Sequence, residues 1–169
     1  MPRPRVVLVG PPGAGKTTVG EALARRWGVT LRDTDRIVEE TQGRSVSDIF
    51  VQDGEAAFRA LERAAVLEEL RIHDGVLALG GGAVMDEDVQ RALEGHRVVF
   101  LDVGIADAST RIGFDVSRPL LVVNPRASWI RLMNARRPVY EAVASVRVDT
   151  AGRGVDEVVA EIVAALGEP

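Results

Sequence analysis

The segment Gly10-Pro11-Pro12-Gly13-Ala14-Gly15-Lys16-Thr17 constrains the fold of this chain more than any other stretch. It has a glycine, four further residues, a second glycine, a lysine and a hydroxyl residue, a spacing typical of phosphate-binding loops. The apolar run 6–9 before it predicts a short buried strand, and residues 17–27 after it carry apolar side chains at helical spacing. The sequence therefore places the loop between a strand and a helix, which is the context that this pattern requires.

The residue types in this loop suit the phosphates of ATP and a Mg²⁺ ion. Glycines allow backbone N–H groups to turn toward phosphate oxygens, and the N-terminus of the following helix adds partial positive charge. Lys16 would reach the β and γ phosphates, and the Thr17 hydroxyl would ligate Mg²⁺. Lys16 is the only lysine among 21 basic residues, and a flexible ammonium is not interchangeable with a planar guanidinium at a crowded phosphate. The alternative is a glycine-rich turn before an ordinary helix. If the segment is a phosphate loop, we expect the nucleotide to bind Gly13, Ala14, Gly15, Lys16, Thr17 and Thr18.

Composition limits the classes of function that the chain can have. A length of 169 residues and 46% hydrophobic residues suit a single domain, 1–169, with a sizeable core. The absence of cysteine excludes disulfides and thiolate metal sites, and it is compatible with the cytoplasm, where we expect the protein to act. A net charge of −4 argues against a nucleic-acid partner, and no apolar stretch approaches the length of a membrane span. We expect a monomer that binds small molecules.

Two carboxylates, Asp33 and Asp35, follow the short β-prone segment 29–31. They fall at the carboxyl end of a predicted strand, where ligands collect in open α/β sheets. One could hold a Mg²⁺-bound water and the other a substrate hydroxyl. The alternative is that they cap a helix beginning near Arg36, because aspartate is a good N-cap residue. Their position after a phosphate loop favours the ligand interpretation.

Three consecutive glycines, Gly80, Gly81 and Gly82, follow the continuous apolar segment 76–79, which is typical of a buried parallel strand. Glycines at this point would let a ligand approach bare backbone. The alternative is a tight connection that needs positive φ. The position at the end of a strand favours the ligand.

Arg59 lies on a predicted helix, 55–70, three positions before Glu62. This spacing lets the two side chains pair on one helix face. On periodicity alone, an exposed salt bridge is the favoured interpretation.

Two further arginines, Arg111 and Arg118, lie where the hydrophobic periodicity of the sequence comes to an end. Arg111 lies on a predicted helix, 106–112, and Arg118 lies in 113–126, where the hydrophobic periodicity is lost. A segment of this length without clear structure is usually functional or disordered. As a lid it would carry Arg118 onto the phosphates, and as a loop it would leave Arg118 solvated.

A helix is predicted over 128–137, with Arg136 and Arg137 in its last turn and Pro138 ending it. The remaining predicted features are a helix capped by Asp86, strands at 98–103 and 145–149, a loop 150–154 carrying Arg153, a last helix at 155–166, and surface turns with His73 and His96.

From about residue 6 to residue 160, the chain resembles the shikimate kinases, which belong to the nucleoside monophosphate kinase-like group of P-loop proteins. The resemblance implies an α/β fold of three α/β/α layers around a five-stranded parallel sheet. It also implies a phosphate loop at 10–17, shikimate-binding helices at about 36–71 and a mobile lid at about 113–126. The motifs that carry it, in order, are Asp33-Thr34-Asp35, Phe58-Arg59 with Glu62, Gly80-Gly81-Gly82, Arg118-Pro119-Leu120-Leu121 and Arg136-Arg137-Pro138-Val139-Tyr140.

The resemblance also implies a role for each matching residue. Asp35 would bind the ring hydroxyls of shikimate, including the attacking 3-hydroxyl, and Asp33 would support Mg²⁺ through water. Arg59 and Arg136 would grip the shikimate carboxylate, which suits guanidinium forks. The remaining implied contacts are backbone approach by Gly80, Gly81 and Gly82, charge neutralisation on the transferring phosphoryl by Arg118, and adenine contacts by Arg111 and Arg153.

The activity implied by the resemblance is Mg²⁺-dependent transfer of the ATP γ-phosphoryl to the 3-hydroxyl of shikimate, giving shikimate 3-phosphate and ADP, in chorismate and aromatic amino acid biosynthesis. A gluconate kinase or a nucleoside monophosphate kinase on the same fold is the nearest alternative, because fold does not settle the acceptor. An alternative from another class is a nucleotide-dependent switch without turnover.

Overall fold

The computed structural model of the chain describes residues 3–112 and 124–167, without the side chain of residue 112. Arg118 and most of the predicted lid, 113–123, lie outside these residues. The described part contains five strands, β1 (Val6–Val9), β2 (Leu31–Asp33), β3 (Val76–Ala78), β4 (Val98–Asp102) and β5 (Val146–Asp149). They form a parallel sheet in the order β2-β3-β1-β4-β5, which confirms the predicted α/β fold.

The three central strands form the middle of the core. Strands β1, β3 and β4 are buried along their whole length, with Val7 opposite Leu77 on one side and Val98 on the other. Valine and leucine in unbroken runs suit a parallel strand that helices cover on both faces. Because all the strands are parallel, their carboxyl ends meet at one edge of the sheet.

Helices connect the strands, and local signals explain where several of them begin. The helices are α1 (Lys16–Trp27), α2 (Thr34–Gln42), α3 (Val46–Asp53), α4 (Glu55–Ile72), α5 (Glu87–Leu93), α6 (Ile105–Ile112), α7 (Pro125–Val143) and α8 (Val155–Leu166), with a 3₁₀ turn at Ala83–Met85. The side chains of Asp33, Ser45 and Asp86 accept hydrogen bonds from backbone N–H groups in the first turns of α2, α3 and α5. No helix among the described residues is long and apolar enough to cross a bilayer.

Helix α7 continues through Pro138, so the prediction that proline ends this helix is wrong. Pro138 lies on the exposed face, as does Asn134, whose carbonyl loses its partner because proline has no N–H. Water can satisfy that carbonyl. The inner face continues into the core, where the Tyr140 and Phe100 rings pack with centroids 5.0 Å apart. Arg136 and Arg137 therefore lie in the middle of a helix rather than at its end.

The prediction that His73 lies in a surface turn is wrong. His73 is buried, with 8% of its surface exposed. Its Nε2 lies 3.2 Å from the Thr30 carbonyl oxygen and 3.0 Å from that of Val76. The imidazole thus links the residue before β2 to the first residue of β3, and it does not line the clefts described below.

Candidate active site

The phosphate loop joins β1 to α1 and takes the conformation that its glycines allow. Gly13 and Gly15 have φ values of 84° and 91°, which side chains disfavour. A Cβ atom on Gly10 would lie 2.5 Å from the Leu101 carbonyl oxygen. The Lys16 ammonium donates hydrogen bonds to the carbonyls of Gly10 at 2.8 Å and Pro11 at 3.0 Å, so a positive charge is held at the loop.

Asp33 reaches both the phosphate loop and the start of α2. Its Oδ2 accepts a hydrogen bond of 3.2 Å from the Thr17 hydroxyl, and its Oδ1 accepts from the backbone N–H groups of Asp35 and Arg36. The helix cap that the sequence offered as an alternative is therefore present, beside the pairing with Thr17. Two hard oxygen groups that lie together also fit Mg²⁺, which usually keeps several waters and takes few protein ligands.

The glycine triplet lies against three of the predicted acceptor-binding side chains. A Cβ atom on Gly80 would lie 2.6 Å from Asp35 Oδ1, one on Gly82 would lie 2.6 Å from Arg59 Nη1, and one on Gly81 would lie 3.2 Å from Arg136 Nη1. None of the three glycines has positive φ, so turn geometry does not explain them. Absence of side chains is what lets the charged groups come this close to the backbone.

Arg59 pairs with Glu62 at 2.7 Å, but this is not the exposed salt bridge that periodicity favoured, because the Glu62 side chain is only 3% exposed. Burial raises the pKa of Glu62, while the charge of Arg59 and its hydrogen bond act in the opposite direction. The Arg59 guanidinium also lies 5.3 Å from the centroid of the Phe58 ring. Helical spacing identified the pair but could not show that it faces a cleft.

Two clefts open at this edge of the sheet. The first, of about 480 Å³, is lined by the phosphate loop and Arg111. The second, of about 380 Å³, is lined by Arg59, Glu62, Arg136 and residues of α2 and α3. The two clefts share four lining residues, so a group bound in one adjoins a group bound in the other. The shared residues are Pro12, Asp33, Asp35 and Gly81.

Comparison with known proteins assigns this arrangement to a family. The family model described as shikimate kinase matches residues 12–167. The chain belongs to the shikimate kinase family. It is 57% identical to the shikimate kinase of Frankia casuarinae over 96% of this chain and 72% of that one, and 54% identical to that of Thermobifida fusca over 96% and 94%.

Solved structures agree with this assignment. A shikimate kinase from Acinetobacter baumannii in complex with shikimate superposes with a TM-score of 0.93 at 33% identity, covering 98% of this chain and 93% of that one. A gluconokinase from Sinorhizobium meliloti has a TM-score of 0.59 at 20% identity, a likeness that concerns the fold alone. Family membership confirms the prediction of an ATP-dependent small-molecule kinase, and it supports shikimate over the gluconate alternative.

The two arginines predicted to lie beside adenine have different surroundings in this member of the shikimate kinase family, because only one of them lines a cleft. Arg111 lines the cleft of the phosphate loop, and its Nη1 donates to the Gly13 carbonyl at 2.9 Å and to Thr150 Oγ1 at 3.1 Å. Arg153 lines neither cleft. Its guanidinium instead donates to the Asp149 carbonyl and to Glu161 of α8, both at 2.9 Å.

Sequence reasoning missed three groups that hold the loops and helices of the site in place. Trp129 is buried on the inner face of α7, and its Nε1 donates to the Pro12 carbonyl at 3.0 Å. The buried Tyr140 hydroxyl donates to the Gly81 carbonyl. Asp102 pairs with two arginines at the end of β4. A buried Trp or Tyr usually has a partner for its polar atom, which was the available signal, although it could not name the partner.

Proposed function

We propose that this chain transfers the γ-phosphoryl of ATP to the 3-hydroxyl of shikimate, with ATP in the phosphate-loop cleft and shikimate in the adjoining one. The observation that carries this proposal is the wall shared by the two clefts, which contains Asp33 and Asp35. A donor and an acceptor held on either side of one wall have the proximity that phosphoryl transfer needs. We also propose that the protein acts as a cytoplasmic monomer.

The phosphate-loop cleft, which is the donor cleft of the proposed reaction, suits a polyphosphate. Backbone N–H groups of the loop and the start of α1 favour anionic oxygens, and Lys16 adds a formal charge. Arg111, whose guanidinium contacts the Gly13 carbonyl, places a second cation beside the loop. The proposed nucleotide contacts are therefore Gly13 to Thr18 together with Arg111.

The adjoining cleft, which is the acceptor cleft of the proposed reaction, suits a small hydroxylated carboxylate. Arg59 and Arg136 both line it, and two guanidinium groups can bind one carboxylate through paired N–H donors. Asp35 lines both clefts and can accept a hydrogen bond from a substrate hydroxyl. Arg136 is only 6% exposed, so its charge acts with little screening by solvent.

Thr17 and Asp33 would hold Mg²⁺, the aspartate through a water molecule. A bound Mg²⁺ would neutralise phosphate charge that develops during transfer. The protein's own part is to keep the hydroxyl and the carboxylate together, which the 3.2 Å contact between Thr17 Oγ1 and Asp33 Oδ2 does.

In the proposed reaction, the bond from the γ-phosphorus to its bridging oxygen breaks as the 3-oxygen of shikimate bonds to that phosphorus. The hydroxyl proton leaves toward Asp35 or water, and ADP departs with the bridging oxygen. Such loose transition states depend on positioning and charge stabilisation more than on a strong base. Asp35 would therefore orient the hydroxyl as well as accept its proton.

The experiment that tests this proposal identifies the product. Purified protein is incubated with ATP, MgCl₂ and shikimate, and the product is examined by ³¹P and ¹H nuclear magnetic resonance. We expect one phosphate monoester whose phosphorus couples to the proton on carbon 3. A monoester at another carbon, or no monoester at all, would contradict the proposal.

A further inference from the structure

One face of α7 lies against the second cleft, through Arg136, and against loops that line both clefts, through Trp129 and Tyr140. Trp129, Met133, Arg136 and Tyr140 are all buried, and their spacing of four, three and four residues puts them on a single stripe. Trp129 and Tyr140 are eleven residues apart, which is about three helical turns. A single helix therefore presents two polar-tipped aromatic side chains to the site, with Arg136 between them.

Each aromatic side chain donates its hydrogen bond to a backbone carbonyl in a ligand-facing loop. Trp129 Nε1 donates to the Pro12 carbonyl of the phosphate loop at 3.0 Å, and the Tyr140 hydroxyl donates to the Gly81 carbonyl of the glycine triplet at 2.5 Å. Pro12 and Gly81 are both in the wall that the two clefts share.

A peptide unit is planar, so fixing its carbonyl also fixes the N–H of the next residue, which points the opposite way. The N–H groups coupled in this manner belong to Gly13 and Gly82. Among the described residues, neither N–H donates to another backbone carbonyl. Both belong to glycines, whose peptide units turn more freely than those of other residues, so an external anchor has a larger effect there.

We propose that Trp129 and Tyr140 are positioning residues, which hold the Gly13 N–H toward the phosphates of ATP and the Gly82 N–H toward shikimate. This inference rests on the proposed function for the identity of the acceptor. Through α7 the two peptide units share one rigid support, so the distance between donor and acceptor is set by the helix.

Two further observations fit the Tyr140 half of this arrangement. Burial raises the pKa of Tyr140 to about 12, against the lowering influence of Arg136, so the hydroxyl remains a donor throughout the neutral range. Gly81 also lies beside Arg136, since a Cβ atom there would be 3.2 Å from Nη1. The hydroxyl and the guanidinium thus support adjacent parts of one acceptor site.

The test uses Tyr140→Phe and Trp129→Phe, which remove one donor each and keep an aromatic ring. Dissociation constants for ADP and for shikimate are measured by calorimetry in MgCl₂ on the folded variants, with melting temperatures recorded alongside. Trp27→Phe, at the far end of α1, is the matched control for tryptophan loss. Because phenylalanine is smaller than tryptophan, benzothienylalanine at position 129, which replaces the N–H by sulfur, separates hydrogen bonding from volume.

We expect a crossed pattern. Tyr140→Phe should weaken shikimate about five- to tenfold and change ADP less than about twofold, and both substitutions at 129 should do the reverse, as loss of one oriented N–H contact predicts. Trp27→Phe should change neither. Equal weakening of both ligands in every variant, or no weakening in any, would overturn the inference.

A wild-type chain that binds ADP but not shikimate would instead overturn the proposed function and, with it, the Tyr140 half. The Trp129 half would still be decided by ADP, because that measurement does not depend on the acceptor.

Discussion

Asp33 caps a helix, and we propose that it also supports Mg²⁺ through water. One carboxylate oxygen caps α2, and the other contacts the Thr17 hydroxyl at 3.2 Å. The two roles can be separated by chemistry, because asparagine caps a helix about as well as aspartate but carries no charge for a metal-bound water.

Asp33→Asn should therefore leave the melting temperature nearly unchanged and raise the Mg²⁺ concentration needed for half-maximal turnover by about tenfold or more. Turnover is measured against MgCl₂ at saturating ATP and shikimate, with thermal melts of the same samples. A large fall in melting temperature without a change in Mg²⁺ dependence would assign Asp33 to the cap alone.

The Arg59 guanidinium is held in place by the buried carboxylate of Glu62. Its guanidinium lies 2.7 Å from Glu62 and 3.6 Å from Glu55, at the mouth of the acceptor cleft. Because a charged fork is lost, Arg59→Ala should raise the KM for shikimate about tenfold or more and leave the KM for ATP within about twofold.

Arg71→Ala is the matched control for this prediction, since Arg71 lies on the same helix and pairs with the exposed Glu68. It should leave both KM values unchanged. Equal rises in both KM values for Arg59→Ala would mean that Arg59 supports the fold rather than the acceptor.

At the scale of elements, Asp102 connects β4, β5 and α7. Arg137 of α7 donates to both of its oxygens, at 2.7 and 2.9 Å, and Arg147 of β5 donates at 2.7 Å. Burial would raise the pKa of Asp102, but hydrogen bonds from Arg137 and Arg147 outweigh it and hold the pKa below the ordinary value. The ion pair thus fixes the helix that carries Arg136.

Asp102→Asn should lower the free energy of unfolding by about 2 kcal/mol, between the values typical of exposed and of fully buried pairs, because both arginines are partly exposed. Urea unfolding measures the change. Asp53→Asn, which removes an exposed pair with Arg44, is the control and should leave the urea midpoint unchanged.

The sign of the pH dependence follows from the lowered pKa of Asp102. Its stabilisation is fully present above the ordinary value of 3.8 and is lost as pH falls through the lower pKa of the folded state. The stability difference between wild type and Asp102→Asn should therefore be constant near neutral pH and shrink below pH of about 4. A difference that grows on acidification would contradict this assignment.

Elements with local signals were predictable from the sequence, and α7 shows where such signals fail. Asp86 and Ser45 have the residue types and spacing of N-caps, and both cap helices. Pro138 has an equally strong local signal for a helix end, yet the packing of Tyr140 against Phe100 continues the helix. The inward stripe of α7 depends on contacts with distant segments, which no local pattern contains.

At the scale of the whole molecule, the sheet order brings the site together. Strands β2, β3 and β1 are neighbours, so Asp33 and Asp35, the glycine triplet and the phosphate loop all emerge at one edge. This part was predictable, because parallel strands share a carboxyl edge. The burial of Glu62 was not, since it depends on how α2, α3 and α4 pack around the cleft.

The fold leaves the acceptor open, since a gluconokinase shares it at a TM-score of 0.59. The specificity we propose lies in Arg59, Arg136 and Asp35, which suit a carboxylate with neighbouring hydroxyls. Acceptor preference therefore depends on these side chains rather than on the fold.

The most direct test of this claim is the rate of ADP formation from Mg·ATP with shikimate, gluconate, AMP or no acceptor, with Lys16→Met as the inactive control. We predict turnover with shikimate at least about a hundredfold above the other acceptors in kcat/KM, because the open chain of gluconate must be ordered before its carboxylate and a hydroxyl can reach the site together, and because AMP has no carboxylate. Comparable or faster turnover with gluconate or AMP would contradict the acceptor assignment, and no turnover with any acceptor would contradict the kinase itself.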